Sequence, residues 1–472
     1  MGQPGNPGND KVIGILGGMG PHATLLFQRN VLDLTGAAKD WDHVRTVCDS
    51  NTHVPSRSRA VLYGEESPLP AMLDSCRRLQ AYPVDLIVIP CNSACHWVPE
   101  LRRAIKTPIA NIAAVATRVL LEGHAVSRVA ILGGMVPYLT DLYPAEIERF
   151  GATCVKPPED LQETIVSLIE RIKLSGSASG LAGEMTAVIT RLARDERVDG
   201  VILGCTEFTE FRTLAVDGVR LVDSSTALAQ LVVDFAVRGK PLPVDVKTIE
   251  AFWRSRADRL RSGELGVLQS TMLTASEDEA TARDEQEKAA LFGVLTPLLN
   301  PDGTMLEIGC GLGRWTRALS PHVAHVDAYD YSAELIEQAR ELSRDTPNIA
   351  YRCAPVEAIR PARQYDHVVS IALLHYLNDE QWDKAIDLVR LSTAPGGLAI
   401  FRESFGCDRR FELHGFYSTV LQAEYHAVYR TTKELADRMG SAFTCVHEDT
   451  SLPSTAEKPE TCQKIVIFRR RK

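Results

Sequence analysis

From residue 11 onward the apolar positions fall into two alternating patterns. Unbroken runs stand at 12–16 (VIGIL), 84–90 (VDLIVIP), 128–134 (RVAILGG) and 198–204 (VDGVILG), each ending in or next to Gly, Pro or Cys. Between them apolar residues recur every three to four positions, the spacing of an amphipathic helix. Unbroken Val, Ile and Leu runs of strand length read as strands buried on both faces. Their alternation with helices predicts an α/β fold built on parallel strands. Two features also recur in order. Leu16-Gly17-Gly18-Met19 returns as Leu132-Gly133-Gly134-Met135, and Val84-Asp85 ahead of Cys91 returns as Val198-Asp199 ahead of Cys205. The offsets are nearly equal, so two similar α/β halves are expected, each offering a Gly-rich loop and then a cysteine.

This first domain reads as 11–239, behind an arm over 1–10 that is expected to be disordered and carries no secretion signal. Residues 240–283 break the pattern. Pro241 and Pro243 precede a basic helix-like stretch at 251–261 and an acidic run at 274–288, read as a linker and entry helices. A second alternation follows over 284–472, with strands expected at 305–309, 325–330, 349–353, 365–374, 397–403 and 464–470. It predicts a separate Rossmann-like, doubly wound sheet.

A chain of 472 residues is too long for one core, in keeping with that division. A net charge of -9 fits poorly with broad nucleic-acid or anionic-membrane binding, and no apolar run reaches membrane-spanning length. The 11 cysteines include no CxxC pair, which suggests reduced thiols in a cytoplasmic protein rather than disulfides or a metal site.

Against that background Cys91 and Cys205 stand out. Each follows an apolar strand and precedes a helix, where ligands bind in an open α/β sheet and where helix N-termini favour thiolate. Two sulfurs facing each other across a cleft suit cofactor-independent inversion of an α-carbon. One thiolate takes the α-proton from one face and the opposite thiol returns a proton to the other. Backbone amides of the Gly-rich loop around Met19, together with Asn92, Ser93 and Thr206, could serve the substrate carboxylate as it turns enolate-like. Glu207 could orient the second thiol or cap the following helix.

The motifs GGMGPHAT at 17–24, PCNSA at 90–94 and LGCTE at 203–207 closely resemble the aspartate/glutamate racemase family, and the GGMGP form resembles its aspartate racemase branch. The resemblance covers about 11–239. It implies a mechanism without pyridoxal phosphate or metal, with Cys91 and Cys205 as the two acid/bases acting on a small amino acid. Members often dimerise, so it also implies a homodimer. A family segment is matched at 50–58, where Asn51, Pro55 and Arg57 are kept. Asn51 is then a substrate-binding residue, and Arg57 would bind a substrate carboxylate, a task that suits a bidentate guanidinium. The family lysine that closes over the distal carboxylate has no clear match. Lys173 is the nearest and stands a few residues early.

In the second domain Glu307-Ile308-Gly309-Cys310-Gly311-Leu312-Gly313 follows a strand. GxGxG alone also fits a dinucleotide site. With Asp330 after the next strand and APGG at 394–397, the ordered set resembles class I S-adenosylmethionine methyltransferases. That resemblance implies a close backbone approach to the donor at Gly309, Gly311 and Gly313, and Glu307 at the donor's amino-acid end. Asp330 would hold the ribose, with Asp327 as its competitor, and Val356 or Glu357 would lie near the adenine. His375 could take a proton from an amine acceptor, or be structural. Arg402, Tyr425, Tyr429 and Arg430 are candidates to hold acceptor carboxylates, with a solvated helix face as the plain alternative.

The fusion itself suggests a sequence of reactions. Racemisation cannot accumulate one enantiomer, whereas methyl transfer from a sulfonium is effectively irreversible. Aspartate racemisation followed by N-methylation to N-methyl-D-aspartate is therefore the leading expectation. The alternatives are an O-methyltransferase, another amino acid, or a racemase-like module that only presents substrate.

Overall fold

The computed structural model describes residues 11–240, 242, 246–272, 274, 276–361, 363–418, 423–452 and 460–472. The arm expected over 1–10 and the side chain of Tyr425 lie outside this description. The chain divides into two compact units, Met1–Leu242 and Pro243–Lys472.

The first unit holds two four-stranded sheets, each parallel throughout. One runs Arg45–Ser50, Val12–Gly17, Leu86–Val88, Ile109–Ala110. The other runs Thr153–Val155, Arg128–Leu132, Gly200–Leu203, Arg220–Asp223. The strand order is the same in both, as the internal repeat predicts. The Val, Ile and Leu runs fill these strands because both faces are covered by helices. The halves are laced together by their last helices. Leu228, Val232, Val233 and Ala236 of the helix Ser224–Ala236 pack into the core of the first half. Ala113, Ala116 and Leu120 of the helix Ile112–Leu121 pack against Val129, Ile131 and Ile202 of the second. Side-chain caps from Asp223 and Asn111 fix where these two helices begin. Cys91 and Cys205 thus leave the C-terminal ends of equivalent strands in a rigid frame.

The second unit is a seven-stranded sheet in the order Ile349–Cys353, His325–Asp330, Thr304–Ile308, Tyr365–Ile371, Thr393–Gly406, Thr461–Arg470, Phe443–Leu452. The first five strands are parallel and the last two antiparallel to their neighbours. The stretch read as linker and entry helices is helical over Val246–Arg261 and Val267–Met272, and it packs within this unit. Ile249 and Phe252 are buried with Tyr376, Val428 and Tyr429, and Ala257 with Leu312 and Leu335. Arg256, between them, is buried, and its guanidinium donates to the carbonyls of Gln269 and Ser270.

Candidate active sites

In the first unit Cys91 is buried and Cys205 partly so. The Cys205 thiol donates to Glu207 Oε2 at 2.8 Å, and the other oxygen of Glu207 lies 3.8 Å from Lys173 Nζ. Burial, reinforced by the Glu207 carboxylate, pushes the Cys205 thiol well above its ordinary range. At rest Cys205 is therefore a proton donor already aimed at a carboxylate. Of the two roles open to Glu207, the hydrogen bond to the thiol is the one formed. Lys173, on the helix Glu159–Ser175, reaches this cluster despite its early place in sequence.

The remaining expected residues are engaged by their own neighbourhood. Gly18 adopts a left-handed φ of +86°, and a side chain there would run into the backbone of Asn51, so only glycine lets the two loops touch. Asn51 donates to Ser75 Oγ at 3.0 Å and accepts from the His53 amide at 3.0 Å. The Arg57 guanidinium binds three backbone carbonyls, those of Val54 at 3.2 Å, Pro55 at 3.0 Å and Met19 at 3.2 Å. Arg57 thereby ties its own loop to the Gly-rich loop. Its buried Nε has no hydrogen-bond partner. Asn92 is held at both ends of its amide, by Ser224 and by Tyr143. Ser93 opens the short helix Ser93–Trp97, and Thr206 opens the corresponding turn Thr206–Phe211 after Cys205.

In the second unit one pocket lies at the C-terminal ends of the parallel strands. Its walls include Glu307, Gly309, Gly311, Asp330, Val356 and Glu357. Asp330 accepts from the Gly311 amide at 2.9 Å and the Ser332 amide at 3.0 Å. Burial pushes its carboxyl up. Gly309, Gly311 and Gly313 all have left-handed φ angles, and a side chain at 313 would collide with the Tyr351 hydroxyl. Glu307 accepts from Thr316 Oγ1 at 2.5 Å, and burial pushes its carboxyl up to about 7. Glu357 accepts from Gln381 Nε2 at 2.7 Å. Asp327, the competitor of Asp330, is held by Tyr365 at 2.8 Å and Arg352 at 2.8 Å, away from the pocket walls.

Two expectations are corrected here. Arg430 is not among the pocket walls. It donates to the carbonyls of Leu374 at 3.3 Å and Leu377 at 3.1 Å, pairs with Asp379 at 2.6 Å and lies over the Trp382 ring. Loop carbonyls left without donors attract a guanidinium more strongly than solvent does. His375 is not among the pocket walls. It is buried 3.6 Å from Glu403 and stacked on Tyr429, while its neighbours Leu373 and Tyr376 line the pocket. Arg402 is likewise interior, 2.6 Å from Glu287, a carboxylate also shared by Arg283 and Arg314. Sequence reasoning missed other walls: Ile249, Glu250, Trp253 and Thr271 from the entry helices, and Arg314. The apolar side chains of 246–261 recur at helical spacing, which was the available signal, overlain by arginines.

Among the described residues no group of three or more His, Cys, Asp or Glu side chains could hold a metal, and no helix is long and apolar enough to cross a membrane.

Sheet order, paired cysteine loops and Gly-rich pocket define an amino-acid racemase-type unit followed by a class I methyltransferase-type unit. Residues 16–232 match the family model for Asp/Glu/Hydantoin racemase, and residues 305–397 match that for a methyltransferase domain. The chain therefore carries an Asp/Glu/hydantoin racemase domain joined to a methyltransferase domain. The broad specificity amino-acid racemase RacX of Bacillus subtilis (strain 168) is 24% identical over 223 residues, 46% of this chain and 95% of that protein. Phosphoethanolamine N-methyltransferase 1 of Triticum aestivum is 31% identical over 165 residues, 34% of this chain and 31% of the wheat protein. The chain thus spans under a third of that relative's length. Among solved structures, Picrophilus torridus aspartate racemase is 27% identical, covers 49% of this chain and 96% of its own, and superposes with a TM-score of 0.42.

Proposed function

We propose that this chain is a bifunctional enzyme that racemises an acidic amino acid, aspartate first, and then N-methylates it, giving N-methyl-D-aspartate. The observation that carries the reading is the pair Cys91 and Cys205 at equivalent strand ends, one thiol already bonded to Glu207, in a chain that also holds a Gly-lined pocket. Cys91 and Cys205 exchange protons with opposite faces of the α-carbon, and the roles swap for the other enantiomer. Loop amides beside Met19 and after each cysteine stabilise the enolate-like carboxylate. Lys173, exposed beside Glu207, would meet a distal carboxylate. The matched racemase of Bacillus subtilis is named for broad specificity, which favours an amino acid as the substrate class and leaves aspartate to the GGMGP loop.

The second pocket fits S-adenosylmethionine. Gly309 and Gly311, both left-handed, clear space for a close backbone approach, while Gly313 packs against Tyr351 outside these walls; Asp330 would bond a ribose diol, and Ile249, Trp253, Leu335 and Val356 give apolar walls for a base. When bound, S-adenosylmethionine supplies an electrophilic sulfonium methyl. The chain orients the acceptor and excludes water. The name of the matched wheat enzyme supports an amine as acceptor.

Proton NMR in deuterium oxide tests both steps. With L-aspartate alone the α-proton signal should vanish, and with S-adenosylmethionine added an N-methyl signal should appear. A methyl signal with the α-proton intact would reduce the first unit to a binding module, and a base-labile product would mean O-methylation.

Donor affinity should also depend on pH through Glu307. Its carboxyl is raised to about 7, so it is increasingly protonated below that pH. The donor's ammonium favours the ionised form, and binding must then expel a proton. Affinity for S-adenosylhomocysteine, followed by calorimetry, is expected to fall by up to about tenfold per pH unit below 7. Glu307→Gln should flatten that slope, and an unchanged slope in this variant would move the titration to another group.

A further inference from the structure

One polar chain runs through the interior of the first unit between the two cysteine loops. The Tyr143 hydroxyl donates to Asn92 Oδ1 at 2.5 Å. Asn92 Nδ2 donates to Ser224 Oγ at 3.0 Å, and the Ser224 hydroxyl donates to the carbonyl of Leu203 at 2.7 Å. Tyr143 and Ser224 are fully buried and Asn92 nearly so. Asn92 directly follows Cys91, and Leu203 ends the strand two residues before Cys205. The chain therefore links one cysteine loop to the other through side chains. Ser224 opens the helix that crosses into the first half's core, and Tyr143 belongs to the apolar cluster of the second half. Every donor points the same way, an arrangement in which each bond polarises the next.

Stability alone does not explain the side-chain bonds, since replacing both partners of a buried hydrogen bond can be nearly neutral. What directional bonds add is a fixed geometry. Two-face proton exchange needs that, because both sulfurs must reach one carbon, and a misplacement of about 1 Å can cost on the order of 10²-fold in rate. We infer that Tyr143 and Ser224 are positioning residues of the racemase site, acting through Asn92 to fix the spacing and facing of Cys91 and Cys205. This rests on the two-cysteine reading above.

The test uses the full chain with Tyr143→Phe, Ser224→Ala and Ser224→Thr, assayed with L- and D-aspartate well below each variant's melting temperature. Tyr143→Phe and Ser224→Ala should lower kcat for inversion by about 10- to 100-fold with KM nearly unchanged, and Ser224→Thr, which keeps the hydroxyl, should recover most of the loss. A raised KM at constant kcat, or alanine and threonine behaving alike, overturns the inference. A second readout needs no substrate: alkylation of Cys91 and Cys205 by iodoacetamide, followed peptide by peptide in a mass spectrometer. Tyr143→Phe should change the ratio of the two rates, and an unchanged ratio overturns the inference. Wild-type protein that leaves aspartate untouched while the ratio shifts would count against the aspartate assignment and not against the network.

Discussion

Cys205→Ala is expected to lower inversion of the amino-acid substrate by about 10²- to 10⁴-fold, the range a positioned acid or base contributes. S-adenosylhomocysteine binding by the second unit should stay unchanged, and an unshifted melting transition of the first unit should report that the variant is folded. The loss is larger than that of an ordinary thiol because Cys205 is the one held as a proton donor, raised by burial and bonded to Glu207. With Cys91 alone, a proton can be taken from one face and returned only to that same face. One enantiomer should then exchange its α-proton with solvent and retain its configuration, while the other should exchange little. Chiral chromatography beside NMR separates the two outcomes. Inversion within a few-fold of wild type would sink the two-cysteine mechanism, and equal residual exchange of both enantiomers would point to a base other than Cys91. Each direction needs one thiolate and one thiol, so kcat/KM for the two enantiomers should change together with pH and remain equal.

What was legible in the sequence follows physical lines. Parallel strands buried on both faces leave unbroken apolar runs, so the two α/β parts and the equivalent positions of Cys91 and Cys205 could be read directly. Gly-rich turns could be read because only glycine tolerates the left-handed backbone at Gly18, Gly309 and Gly313. Direction could not. Arg430 reads only as a cation in the sequence, yet its bonds go to the carbonyls of Leu374 and Leu377, a demand created by a loop that only the fold defines. His375 follows the expected strand, but the turn at Ala372, which has a left-handed φ of 56°, gives Leu373 to the pocket and leaves His375 against Glu403. Tyr143 and Ser224 carry no motif, and their meeting with Asn92 depends on two segments distant in sequence. In the helix Val246–Arg261, charge on the solvent side hid the apolar stripe that closes over the pocket.

Asp330→Ala is expected to weaken binding of S-adenosylhomocysteine on the order of 10²-fold or more. The carboxylate does two jobs that the alanine cannot. It accepts from the Gly311 amide at 2.9 Å and so holds the left-handed turn of the Gly-rich loop, and it accepts from the Ser332 amide at 3.0 Å at the start of the next helix. The Ser332 amide is enclosed and the Gly311 amide partly so, and a buried N–H left without a partner costs about 1–3 kcal/mol. The loop would relax to find other acceptors, and the backbone approach that Gly309 and Gly311 provide would be lost with it. Since about 1.4 kcal/mol is tenfold in affinity, losing the loop geometry and the ribose contact together reaches the stated range. Asp330→Asn keeps one acceptor oxygen and should fall between the two. Asp327→Ala is the matched control. Its partners Tyr365, Arg352 and Arg363 lie off the pocket, so it should lower the melting temperature while leaving affinity near wild type. Calorimetry on the three variants decides the matter. Affinity lost in Asp327→Ala and kept in Asp330→Ala would reverse the assignment of the ribose site, and it would require the donor to lie along the strand His325–Asp330 rather than at its end.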